Sequence, residues 1–144
     1  MKRFLCLVAL VVVAACGGQS DPLNTAFAGT WNGTEATSLT GGGVFTGTGQ
    51  IVITVSGNTA QIATICPDGS GSVAAQGTGN SFEWDGNVVC PGDAAFGGCA
   101  AVAFSYQKIT ATLSSDGVLS MVVIGSGTGC GSTYATTATF TATH

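Results

Sequence analysis

A chain of 144 residues has room for one hydrophobic core and for no second domain of ordinary size. Three Lys plus Arg against seven Asp plus Glu, a formal charge of −4, leave no basic surface on which a nucleic acid could dock. Hydrophobic residues at 45% exclude a disordered chain in spite of 23 glycines.

Lys2 and Arg3 open the sequence and precede an apolar run over residues 4–16. That run is shorter than the ~18–20 residues needed to cross ~30 Å of hydrocarbon, so it reads as a cleaved helical signal peptide and not as a permanent span. Its ending, Val13-Ala14-Ala15-Cys16, resembles the lipobox of bacterial lipoproteins. The resemblance implies cleavage after residue 15 and lipidation of Cys16, with acyl chains such as palmitate contributing ~0.8 kcal/mol per buried CH2 to a stable membrane anchor. It also implies a cell-envelope location at the outer membrane, because Gly17 and not Asp follows the lipid cysteine. The alternative is an ordinary signal peptide cut near Ala14 or Ala15, which leaves a spare thiol in an oxidising compartment.

The expected organisation is therefore a signal peptide over 1–15, a lipidated cysteine and flexible tether over 16–27, and one β domain over 28–144. Loss of residues 1–15 removes Lys2 and Arg3, which leaves Lys108 facing all seven carboxylates and a surface that repels anions. Cys66, Cys90, Cys99 and Cys130 then form an even set, which in an exported domain reads as two disulfides. Of the three connectivities, Cys66–Cys90 with Cys99–Cys130 is favoured, since Cys66-Pro67-Asp68-Gly69 and Cys90-Pro91-Gly92-Asp93 both look like strand ends running into turns. There is no C-x-x-C and no interleaved histidine, so neither a zinc site nor any other metal or cofactor is expected.

Strands are predicted over 28–37, 44–56, 59–66, 73–78, 81–85, 99–113, 118–126 and 132–143. Period-two alternation carries them: Phe45, Gly47, Gly49, Ile51, Ile53 and Val55 share one face of the second, against Thr46, Thr48, Gln50 and Thr54. Gly57-Asn58 and Asp116-Gly117 mark hairpin turns. Val102, Phe104 and Tyr106 share a face, after which the apolar set moves to Ile109, Ala111 and Leu113, so a bulge is predicted at Gln107-Lys108. No window has a convincing 3.6-residue period. The fold class is all-β, an antiparallel meander of about eight strands closed into a barrel, with a two-sheet β-sandwich as the alternative.

The run Gly29-Thr30-Trp31-Asn32-Gly33 is similar to the Gly-x-Trp-x-Gly strand that opens many lipocalin-like, calycin-type barrels. The glycine-rich Gly127-Thr128-Gly129-Cys130-Gly131, followed by a Thr-rich strand, resembles small bacterial lipoproteins of that shape. Trp31 is expected to plug one end of the barrel.

No catalytic set emerges. The sole histidine, His144, is the last residue, where chains are usually mobile, and no Ser or Cys has a credible base. Glu83 and Asp85 share one strand face opposite Phe82 and Trp84, which reads as a solvated face and not as a glycosidase pair. Asp68-Gly69-Ser70-Gly71-Ser72 lacks the closing glutamate of a calcium loop and reads as a glycine-rich turn. Trp84 and Tyr106 are the aromatics available for stacking on a sugar if they face solvent. Two non-enzymatic functions remain: an envelope protein with a structural or partner-binding role, or a binding module with a small apolar ligand among Phe45, Ile51, Ile53, Val102, Phe104 and Phe140.

Overall fold

The computed structural model describes residues 21–41, 43–96 and 99–144. A short 3-10 turn, Thr25–Phe27, leads into eight strands: β1 Gly29–Leu39, β2 Val44–Ser56, β3 Thr59–Ala63, β4 Ser72–Thr78, β5 Ser81–Phe96, β6 Cys99–Leu113, β7 Leu119–Gly129 and β8 Ser132–Thr143. Each pairs antiparallel with its neighbours in sequence, and β1 closes the ring on β8, from Asn32 opposite Thr143 to Leu39 opposite Thr136. That last ladder joins the first and last strands, which a sandwich would leave apart, so the fold is a closed meander barrel. The hairpin at Gly57-Asn58 is confirmed, with Ser56 opposite Thr59 across the turn and Gly57 at φ 59.

The alternation sorts side chains as expected. Ile51 and Ile53 of β2 are buried, and β8 buries Ala138, Phe140 and Ala142 while exposing Thr137, Thr139 and Thr141. Both expected disulfides are present, Cys66–Cys90 and Cys99–Cys130. The bulge also lies where the phase slips: Tyr106 faces Gly125 and Lys108 faces Ile124, so one extra residue sits in β6. Tyr106 and Ile109 consequently both point inward.

Three expectations need correction. β5 does not stop at Asp85 but runs on to Phe96, because register shifts after Asp85 and after Cys90 absorb Gly86-Asn87 and Pro91-Gly92-Asp93 as bulges within a ladder to β6. Pro91 is tolerated there because β5 pairs with β4 only from Ser81 to Glu83, which leaves that flank without a ladder to break. β3 ends at Ala63, short of Cys66, since Thr64 at φ 59 turns the backbone out of the sheet.

The third correction concerns the tether, of which residues 21–27 are folded and not flexible. Leu23 and Phe27 are 2% and 0% exposed and lie over one end of the barrel with Trp31, also 0%. The Leu23 N–H donates to Gly57 O and the Asn24 N–H to Gly79 O, while Gly79 donates back to Pro22 O, so this segment is sewn onto two hairpin turns. Trp31 Nε1 donates to Phe27 O at 2.9 Å, and the Phe27 and Phe82 rings lie 4.9 Å apart. His144 is docked as well: its ring lies tilted against that of Trp31, with centroids 3.8 Å apart, and its Nε2 lies 3.3 Å from Ala26 O. Trp31 thus has the plugging position expected of it. The expected signal peptide over 1–15, the expected lipid site Cys16 and the first part of the expected tether lie outside the described residues.

Phe27→Ala is expected to cost about 3–5 kcal/mol, the usual loss for a truncated buried aromatic, measured from urea unfolding midpoints. A loss within the range of surface substitutions would return residues 21–27 to the role of a tether. Replacing either cysteine pair by alanine is expected to cost about 3–4 kcal/mol for loops of 24 and 31 residues, and thiol titration of the unreduced protein should find none of these four cysteines free.

Candidate functional site

The end opposite the plug is built differently, because β3 and β4 are short. β3 pairs with β2 only over Val52–Ser56, so residues 44–51 of β2 have β1 on one flank and no strand on the other. β5 beyond Glu83 lacks a strand on its matching flank. The segment 64–71 fills the slot between them. Thr64 Oγ1 donates to Gln50 O at 3.3 Å on the β2 side, the Cys66–Cys90 disulfide fastens the β5 side, and Asp68 Oδ1 accepts from both Ser70 N and Ser70 Oγ within the turn. Those Ser70 hydrogen bonds hold the Asp68 carboxyl below its ordinary value.

Two cavities occupy this half of the barrel. The first, about 290 Å³, is lined from inside by Glu35, Ile51, Tyr106, Met121 and Phe140, and at its rim by Thr48, Gln50, Thr64 and Pro67. Thr48 and Gln50 belong to the outward face of β2, so this cavity opens sideways between β2 and the 64–71 segment. The second, about 230 Å³, is lined by Glu35, Thr37, Phe45, Phe104, Tyr106 and Thr136. Glu35, Pro67, Tyr106 and Ala138 border both. Inner-face glycines make the room: a Cβ on Gly47 would meet nothing within 4 Å, and one on Gly49 would come only within 3.5 Å of the Phe140 ring and 3.9 Å of Glu35 Oε2.

The polar content of this interior comes from β1, β6 and β8. Glu35 is half-buried, lies opposite Gly47 and Phe140 in its two ladders, and accepts from Thr37 Oγ1 through Oε1 at 2.8 Å. Thr37 and Thr136, 5% and 4% exposed, are the buried polar residues among those described. Tyr106 is 8% exposed and stacks on Phe104 with ring centroids 6.0 Å apart. Burial, and secondarily the Glu35 charge, push the Tyr106 phenol well above its ordinary value. Among the described residues, Glu35 is the one charged residue bordering either cavity. Lys108, the only Lys or Arg among the described residues, lies outside, 3.4 Å from Glu83 and 3.5 Å from Asp85.

Of the six residues expected around a ligand, Ile51 and Phe140 line the first cavity and Phe45 and Phe104 the second. Ile53 and Val102 line neither. Ile53 is packed opposite Gly29 at the plugged end, and Val102 opposite Ala94 in the β5–β6 ladder. Tyr106 faces inward and so is withdrawn as an exposed stacking platform, while Trp84 is half-buried against the core with its ring over Gly86. Glu83 and Asp85 lie on the solvated outer face, as read. Among the described residues, no three His, Cys, Asp or Glu side chains gather as metal ligands. Sequence reading passed over Glu35, Thr37 and Thr136. The signal was there, since Glu35 and Thr37 stand four and six residues from Trp31 and share its parity on β1.

Comparison with protein-family models, with curated proteins and with solved structures finds no match to this chain.

A phenol whose ionisation is raised by folding adds stability below its unfolded value of about 10 and loses it as the pH climbs towards the folded value. The protein is therefore expected to lose stability above about pH 10, Tyr106→Phe to resist that loss, and Glu35→Gln to relieve only the smaller part, because burial is the larger cause. Urea midpoints across the alkaline range check this, and an unchanged alkaline profile in Tyr106→Phe would refute the assignment.

Proposed function

We propose that this protein is a non-catalytic binding module of the bacterial cell envelope, held to the membrane by a lipid on Cys16, that takes a small, mostly apolar molecule into the open half of its barrel. The observation that carries the reading is the pair of adjoining cavities, walled by Phe45, Ile51, Phe104 and Phe140 and opening beside β2. Binding sites are typically concave, mostly apolar and supplied with a few convergent polar groups, and the mouths of β-barrels are favoured places for them. Each volume lies just below the usual range of ligand pockets, which points to a compact ligand.

Catalysis finds little support here. His144 is spent on the plug and Glu83 and Asp85 on Lys108. A purely structural or partner-binding role has less behind it: the large apolar residues exposed to solvent, Val44, Val89 and Ile124, lie on β2, β5 and β7, no two of which pair. The anchor rests on Val13-Ala14-Ala15-Cys16, and Gly17 directs the expectation to the outer membrane. The barrel shape agrees with the lipocalin-like resemblance of Gly29-Thr30-Trp31-Asn32-Gly33.

The full chain, expressed in a bacterium with an outer membrane and extracted in detergent, should carry a mass excess under native conditions that denaturation removes. Gly47→Leu, which grows a side chain into open space, should abolish that excess without lowering thermal stability. Cys16→Ser should move the protein out of the membrane fraction. A bare wild-type protein would overturn the ligand, and an undisturbed membrane fraction would overturn the lipid anchor.

A further inference from the structure

We infer that the head group of the ligand is an organic cation, a protonated amine whose N–H donates to Glu35, with the apolar body lying against Phe104, Tyr106 and Phe140. The inference rests on reading the barrel as a binding module. It starts from the position of Glu35, the half-buried carboxylate that borders both cavities and that a bound ligand would cover. Drawing an ionised group away from water is expensive unless a counter-charge or several donors replace its hydration. Thr37 supplies one donor to Oε1, whereas Oε2 lies 3.9 Å from where a Cβ on Gly49 would stand, and Glu35 and Gly49 both border the first cavity.

The described residues bring no cation to either cavity. Among the described residues neither cavity is bordered by Lys, Arg or His, and Lys108 is engaged on the outer wall by Glu83 and Asp85. An inorganic ion would find one carboxylate where it needs several oxygen ligands. An amine needs only one charged partner and gains a charge-assisted hydrogen bond. The aromatic rings of Phe104, Tyr106 and Phe140 favour the same sign, because a cation is attracted to a ring face. A carboxylate or phosphate ligand would instead meet Glu35 at the cavity wall and an acidic surface outside it.

Three probes that share one ring system separate the head group from the body: tryptamine, the alcohol tryptophol and indole-3-acetate. Calorimetric titration of the full-length protein in detergent is expected to rank them amine, alcohol, acid, with the amine at least about tenfold tighter than the acid. Glu35→Gln should remove most of the amine's advantage and leave the alcohol's affinity within about twofold, while Gly47→Leu should weaken all three. If all three probes bind with equal affinity, or the acid binds tightest, or Glu35→Gln changes nothing, the cation assignment falls and the binding module stands. If none binds at ~1 mM, the cavity reading falls with it.

Discussion

Closing eight strands into a ring forces backbones together on the concave side, and the chain meets that demand by leaving side chains out. A Cβ on Gly33 would lie 2.1 Å from Thr141 O across the β1–β8 ladder, and one on Gly125 would lie 2.2 Å from Ser105 O across β6–β7. Both glycines sit on the inner face, where a sharp bend admits the closest approach. A side chain at either position would meet the neighbouring strand's backbone. The other features follow from closure, since one lumen then receives every inward side chain and has only two ends.

The two ends share that lumen unequally. At one, the segment 21–28 lies across the hairpins and fills the bore with Leu23 and Phe27 beside Trp31 of β1, against which the His144 ring lies tilted. At the other, β3 and β4 stop short, the 64–71 segment is pinned by Cys66–Cys90, and glycines at 47 and 49 leave space. Unfilled space forfeits dispersion contacts and costs stability. The filled half and the two disulfides offset that cost, so a stable end supports a hollow one.

Much of this was legible in the residues. Strict alternation with threonine on the outer face located the strands, the phase slip at Gln107-Lys108 located the bulge, and the turn signals beside Cys66 and Cys90 paired the cysteines. The errors share a cause. Gly86-Asn87 and Pro91-Gly92-Asp93 carry turn chemistry, yet a partner strand with matching register shifts keeps them in β5. Residues 21–27 are small and polar enough to pass for a linker, and only the neighbouring hairpins give Leu23 and Phe27 something to bury against. Glu35 was treated as surface charge because a carboxylate is usually solvated, although its parity with Trp31 already placed it inside.

By itself, the sequence determined the period-two strands, the parity of each side chain and the even cysteine set, because these are local properties of neighbouring residues. Tertiary structure decided the rest: that β1 meets β8, that β3 and β4 leave one end open, and that a carboxylate from β1, a phenol from β6 and a threonine from β8 border one cavity. Those outcomes depend on ladder lengths and register between strands that are distant in sequence, about which no single window of residues carries information.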